Sequence, residues 1–167
     1  MSLNEADTCR VYVTPKLREA GWETQPRAIT EQYTFTDGRV EFKGSRVVRG
    51  DQKRADYLLK YTRDLPIAVV EAKPEGSTVG QGMQQAKDYA EILGLKFAYS
   101  TNGHEILEFD YTTGEERSLS QFPTPEELFS RLCNNEGISD QAVDTVLSPY
   151  HHAVSYTHLT LPTTPYV

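Results

Sequence analysis

The strongest pattern along the chain is a pair of apolar runs, Asp56-Tyr57-Leu58-Leu59-Lys60-Tyr61 and Ile67-Ala68-Val69-Val70-Glu71-Ala72, separated by Thr62-Arg63-Asp64-Leu65-Pro66. The second run is almost continuously apolar, which predicts a central strand covered on both faces. The turn residues between them predict a hairpin. Upstream, Gln32–Phe35 and Val40–Phe42 are shorter β-prone runs bracketed by Asp37-Gly38 and Gly44, the pattern of a hairpin or meander. Before these, Leu3–Val13 mixes apolar and polar positions at a loosely helical spacing. Thr14-Pro15 has the form of an N-cap followed by proline, so this first helix is expected to break and restart. Gly21 is the expected stop, with extended chain from Trp22 onward.

Downstream of the Gly/Pro-rich stretch Lys73 to Gly80, Gln81–Leu93 is rich in helix formers and ends at Gly94. Lys96–Ser100 and Glu105–Tyr111 then form strands about a Thr101-Asn102-Gly103 turn. Thr124-Pro125-Glu126-Glu127 opens a short helix with cap, proline and first-turn acids in their favoured places. The order α, β-meander, α, β predicts an α/β domain with a mixed central sheet flanked by helices.

The length of 167 residues suits one domain with tails. Residues 1–120 carry the domain pattern, 121–154 a short helix and linker, and 155–167 a terminal tail. The N-terminus lacks the basic start and apolar run of a secretory leader, and no stretch approaches the roughly 20 apolar residues of a membrane helix. Two cysteines, Cys9 and Cys133, are too few for a disulfide scaffold, so a reducing cytoplasm is expected.

A net charge of −7 argues against a surface that grips nucleic acid all round. The average conceals a local excess, however. Between Gly38 and Arg54, the residues Arg39, Lys43, Arg46, Arg49, Lys53 and Arg54 face only Glu41 and Asp51. This is either a solvated polar hairpin or a phosphate-binding face.

Candidate chemistry sits where that basic stretch meets the predicted hairpin. With Arg63-Asp64 as a two-residue tip, Asp56 falls directly opposite Glu71. Directly opposed side chains share a face, about 4.5–5.5 Å apart at Cβ. Lys73 follows Glu71 by two positions and therefore shares the face as well. A register slip of one residue would spoil the arrangement. Two carboxylates at one strand end repel each other unless a proton or cation is shared. Magnesium, which favours oxygen ligands and one or two carboxylates, resolves the conflict. The bland alternative is a surface hairpin with an ordinary Asp–Lys or Glu–Lys ion pair.

Several blocks together resemble the N-terminal nuclease domain of the type I restriction enzyme R subunit. They are Arg54-Ala55-Asp56-Tyr57-Leu58-Leu59, Ile67 to Lys73, Gln85-Ala86-Lys87-Asp88-Tyr89-Ala90, Phe97 to Gly103, and Leu17-Arg18-Glu19-Ala20-Gly21-Trp22. The resemblance implies a restriction-endonuclease-like fold, an αβββαβ core, and a PD-(D/E)xK site carried by Asp56, Glu71 and Lys73. Ala55 replaces the proline of the motif name. It also implies that Gln85 and Tyr89 contact DNA or support the active centre, the alternative being that Tyr89 packs in the core beside a polar neighbour. Glu5 matches an acid placed near the metal by many nucleases of this superfamily, or is a first-turn acid favoured by the helix dipole. His104, His151 and His152 show no metal-ligand spacing.

The implied activity is Mg²⁺-dependent cleavage of double-stranded DNA in a bacterial or archaeal restriction complex with methyltransferase and specificity subunits. In that family the nuclease precedes an ATP-driven motor through a linker resembling Ser148-Pro149-Tyr150-His151. This chain has no phosphate-binding G-x-x-x-x-G-K-[ST] loop, so any ATP hydrolysis belongs to the missing motor. The Ser155 to Val167 stretch does not continue the family pattern. The alternatives are a repair or mobile-element nuclease of the same superfamily, or a catalytically idle DNA-binding or docking module.

Overall fold

The computed structural model describes residues 2–38, 40–43 and 46–147, with side chains for all of these except 40–43, 46–49, 140, 141 and 146. Arg39, the Ser148–His151 segment, His152 and the 155–167 tail lie outside the described residues, as do the side chains of Lys43, Arg46 and Arg49.

Helix α1 (Glu5–Thr8) runs through a π-helical turn (Cys9–Val13) directly into α2 (Thr14–Glu19). The expected break at Thr14-Pro15 does not occur, because Val13 and Thr14 both keep helical dihedrals. A proline inside a helix lacks a donor and crowds the carbonyl four residues back. The wider π turn, closed by the Thr14 N–H to the Cys9 carbonyl, absorbs both defects without bending the chain out of the helix. Gly21, at φ +96, does end α2. The chain from Trp22 is not extended as expected: it turns until residue 26, and Trp22 is buried with its Nε1–H donating to the Pro123 carbonyl at 3.0 Å.

Among the described residues, six strands form one sheet in the order β1 (Ala28–Thr36), β4 (Gln52–Thr62), β5 (Leu65–Ala72), β6 (Phe97–Thr101), β7 (Ile106–Asp110), β8 (Glu115–Leu119). All neighbours are antiparallel except β5 and β6. Helix α3 (Gly80–Leu93) makes the crossover that a parallel pair requires. Gln32–Phe35 and Val40–Phe42 do not pair with each other. The first belongs to β1 and pairs with β4, while β2 (Val40–Lys43) and β3 (Arg46–Arg49) form a separate two-stranded hairpin inserted between them. The mixed sheet, the flanking helices and the α-β-β-β-α-β path through α1/α2, β1, β4, β5, α3 and β6 agree with the sequence expectation.

Two apolar layers hold the sheet. On one face, Val13, Leu17 and Trp22 pack with Tyr57, Leu59, Val70, Phe97 and Tyr99, and with Leu128, Phe129 and Cys133 of α4 (Pro125–Glu136). Tyr61 stacks on Phe129 with ring centroids 4.1 Å apart. On the other face, Ala86 and Ala90 of α3 meet Leu58, Val69 and Ala98. Fully burying a valine such as Val69 or Val70 stabilises by roughly 1.5–3 kcal/mol, so β5, buried from Ile67 to Ala72, and its neighbour β6, buried throughout, anchor the centre of the sheet. Helix α4 opens on a capping box between Thr124 and Glu127. A further helix, α5 (Asp140–Leu147), packs Val143 and Leu147 against the first layer.

Candidate functional site

The β4–β5 hairpin turns at Arg63-Asp64, with Tyr57 opposite Val70 and Leu58 opposite Val69. An irregularity near Lys60 and Thr62 leaves this end of the ladder in register. Continuing the ladder by one residue sets Asp56 against Glu71, and both are buried, at 8% and 2% exposure. They are cross-linked through the backbone. The Asp56 N–H donates to Glu71 Oε1 at 3.3 Å, and the Ala72 N–H donates to Asp56 Oδ2 at 2.8 Å. Burial, and after it the Asp56 charge, pushes the Glu71 carboxyl from 4.5 up to about 8.

Lys73 leaves the end of β5 on the same face. Its Nζ donates to Gln85 Oε1 at 3.1 Å and lies 3.7 Å from Glu5 Oε2. Gln85 Nε2 in turn donates to the Tyr89 hydroxyl at 3.1 Å. The Tyr89 ring packs edge-on against Phe35 at 5.0 Å. The Gln85–Tyr89 pair therefore ties the lysine to the α3 layer, with Tyr89 both packed against Phe35 and bonded to Gln85. Gly82 makes this approach feasible: a Cβ there would sit 2.4 Å from Ser100 Oγ and 3.0 Å from Lys73 Cε.

Glu5 is half-exposed and reaches Lys73. Among the described residues no three His, Cys, Asp or Glu side chains stand close enough to hold an ion together. Asp56 and Glu71 are joined through backbone hydrogen bonds, whereas Glu5 is linked to Lys73. Of the basic residues, Arg54 lines the cavity that contains Asp56, whereas Lys53 lines a different depression with Asp37, Asp88 and Glu91. Arg46 and Arg49 belong to the β2–β3 hairpin, with side chains outside the described residues. His104 is exposed and pairs with Glu75, 2.9 Å away.

The Asp56 cavity, of about 480 Å³, is also lined by Glu5, Cys9, Thr14, Gln32 and Tyr57. The Tyr57 hydroxyl lies 2.9 Å from Thr14 Oγ1, and burial raises its pKa. Burial likewise pushes the Cys9 thiol up to about 11, which makes it a poor nucleophile. A larger cavity of about 620 Å³ lies between β8 and α4, but its charged groups are committed: Arg117 and Arg131 to Glu108, Glu126 to Arg27, and Glu127 to the capping box.

Gln32 is the residue that the sequence pattern does not reveal. Its Nε2 donates to Asp56 Oδ1 at 3.1 Å. It comes beside Asp56 through the β1–β4 pairing, which spans the inserted hairpin and leaves no local signal.

The family model for the type I restriction enzyme R protein N terminus matches residues 26–123. The type I restriction enzyme EcoAI endonuclease subunit of Escherichia coli is 31% identical over 156 residues, 90% of this chain and 19% of that protein. The chain thus spans about one fifth of the curated relative. A fragment structure of a proposed HsdR subunit of a type I restriction enzyme from Vibrio vulnificus YJ016 is 84% identical. It superposes with a TM-score of 0.82, covering 91% of this chain and 30% of that one. The match includes β1, β4, β5, α3 and β6, with Asp56, Glu71, Lys73 and Gln85 among the residues spanned. This chain belongs to the type I restriction enzyme R protein N-terminus family.

Proposed function

We propose that this chain is the nuclease module of a restriction R subunit, hydrolysing phosphodiester bonds of double-stranded DNA with magnesium through a PD-(D/E)xK site. The observation that carries this reading is the placement of Asp56 against Glu71 with Lys73 on the same face. The donor set fits a hard divalent cation. Two buried carboxylates share one end of the sheet, and burial, followed by the Asp56 charge, holds Glu71 above its ordinary range, a cost that a bound cation would offset. A bound magnesium would supply positive charge to the reacting phosphate and acidify the attacking water.

The remaining work belongs to the chain itself. Asp56 and Glu71 would hold the cation, each with one carboxylate oxygen anchored by a backbone N–H. Lys73, held by Gln85 within the site, orients or deprotonates the attacking water and offsets charge gained in the transition state. Arg54, at the rim of the Asp56 cavity, suits a neighbouring phosphate of the same strand. Sequence recognition and methylation belong to the specificity and methyltransferase subunits, and ATP-driven translocation to motor domains that continue the R chain, all in the cytoplasm. Among the described residues, no helix is long and apolar enough to cross a membrane.

The test is plasmid cleavage by the full R subunit carrying this domain, assembled with its companion subunits and supplied with ATP and Mg²⁺. Asp56→Ala and Lys73→Ala are expected to lower cleavage at least about 100-fold while translocation continues. Residual cleavage equal to wild type in both variants would sink the nuclease reading.

A further inference from the structure

Gln32 lies in the middle of β1 with φ +51, and among the described residues no other non-glycine has a positive φ. Glycine adopts this region freely, and residues bearing a Cβ rarely do. The sheet itself does not demand it. The β1–β4 ladder keeps one register on both sides, with Glu31 opposite Tyr57 and Tyr33 opposite Ala55, so the distortion is confined to the residue that faces Asp56. Nor does packing demand it, because Gln32 is exposed at the rim of the Asp56 cavity. Strain of this kind persists where the surroundings hold it, and it collects at functional sites.

From that position the amide donates to Asp56 Oδ1 at 3.1 Å, while the Ala72 N–H donates to Oδ2 at 2.8 Å. A carboxylate gripped at both oxygens has a fixed plane, and one gripped at a single oxygen can rotate about its last bond. The gripping group is neutral, so it orients Asp56 without cancelling the negative charge that a cation needs. An arginine or lysine would orient the carboxylate too, but would compete electrostatically with a metal.

We infer that Gln32 is a positioning residue that fixes the Asp56 carboxylate for divalent-cation binding, an inference that rests on the metal-site reading above. Outer partners of this type tune metal affinity by about 10-fold to 100-fold. The strained backbone separates this role from a structural one: Gln32→Gly removes the amide and relieves the unfavourable φ together.

The experiment is calorimetric titration of the full 167-residue chain with Mn²⁺, beside thermal melts without metal, for wild type, Gln32→Gly, Gln32→Ala and Asp56→Ala. Gln32→Gly is expected to melt at or above the wild-type temperature and yet bind Mn²⁺ about tenfold more weakly. Gln32→Ala shows the same loss of affinity, and Asp56→Ala abolishes binding. Wild-type affinity in Gln32→Gly, with binding still abolished by Asp56→Ala, overturns the positioning role alone. No Mn²⁺ binding by the wild type, or binding that survives Asp56→Ala, overturns the metal site and the inference with it.

Discussion

Asp56 and Glu71 hold each other in place through the backbone of the opposing strand: Glu71 Oε1 accepts the Asp56 N–H, and Asp56 Oδ2 accepts the N–H of Ala72, the residue after Glu71. This exchange anchors one oxygen of each buried carboxylate beside the other, so ionising both carries a cost, from burial first and from their mutual repulsion second, that a cation would offset. The clearest consequences follow from that cost.

Metal-free stability should fall as pH rises. Glu71 titrates near 8 in the folded chain, against 4.5 for its ordinary value, because of burial and then the Asp56 charge. Between those values the folded state binds a proton that the unfolded state has lost, so the unfolding free energy declines with pH. The penalty is absent below about pH 4.5 and fully present above about pH 8. Thermal melts without metal from pH 6 to 9 should show a falling midpoint that Glu71→Gln flattens. Saturating Mg²⁺ should raise the midpoint most at the alkaline end, where no proton competes. An identical pH slope in Glu71→Gln would contradict this.

Gln85→Leu keeps the helical preference of α3 and removes both the acceptor for Lys73 and the donor to Tyr89. The lysine then loses its fixed direction. Cleavage by the assembled enzyme should drop roughly 10-fold to 100-fold, with DNA binding unchanged in a gel-shift titration. Tyr89→Phe should lose only the hydrogen bond, about 1 kcal/mol of stability.

At Gly82, alanine would ordinarily stabilise a helix interior by about 1 kcal/mol. Here its Cβ would meet Ser100 Oγ at 2.4 Å and the Lys73 stem at 3.0 and 3.1 Å. Ser100 is buried and donates to the Val79 carbonyl at 2.6 Å, so it has little room to yield. Gly82→Ala is expected to cost about 1–3 kcal/mol in denaturant unfolding and to lower cleavage further by displacing Lys73.

On the other side of the sheet, Glu108 is fully buried and accepts from Tyr99, Arg117 and Arg131, with Arg131 also bonded to Asp110. Burial alone would raise the Glu108 pKa, but the donors, Arg131 first, bring it below its ordinary value. Arg131→Met leaves that carboxylate without its main counter-charge and should destabilise the chain by roughly 3–5 kcal/mol. Metal affinity of the molecules that remain folded should stay at the wild-type level.

The site was legible in the sequence because its chemistry rides on local structure. Two apolar runs joined by a short turn fix the β4–β5 register, and that register decides which face Asp56, Glu71 and Lys73 share. Gln85 and Tyr89 stand out only through the family resemblance, and helical spacing then places them on one face. What escaped notice depends on distant pairing or on context. Gln32 meets Asp56 only because β1 skips the β2–β3 hairpin to pair with β4. Strand β8 has four exposed residues in five, Glu115 to Ser118, and among the described residues pairs only along its β7 edge, so it carries no apolar alternation. The π turn before Pro15 answers a steric conflict that proline in a helical pattern would more often settle with a break.

The most direct test of the paired-carboxylate metal site is anomalous diffraction from crystals of this chain soaked in Mn²⁺, standing in for magnesium. The account predicts one anomalous peak within about 2.0–2.3 Å of oxygens from both Asp56 and Glu71, lost in Asp56→Ala crystals. A peak elsewhere, or none at saturating Mn²⁺ with both carboxylates ordered, would contradict it.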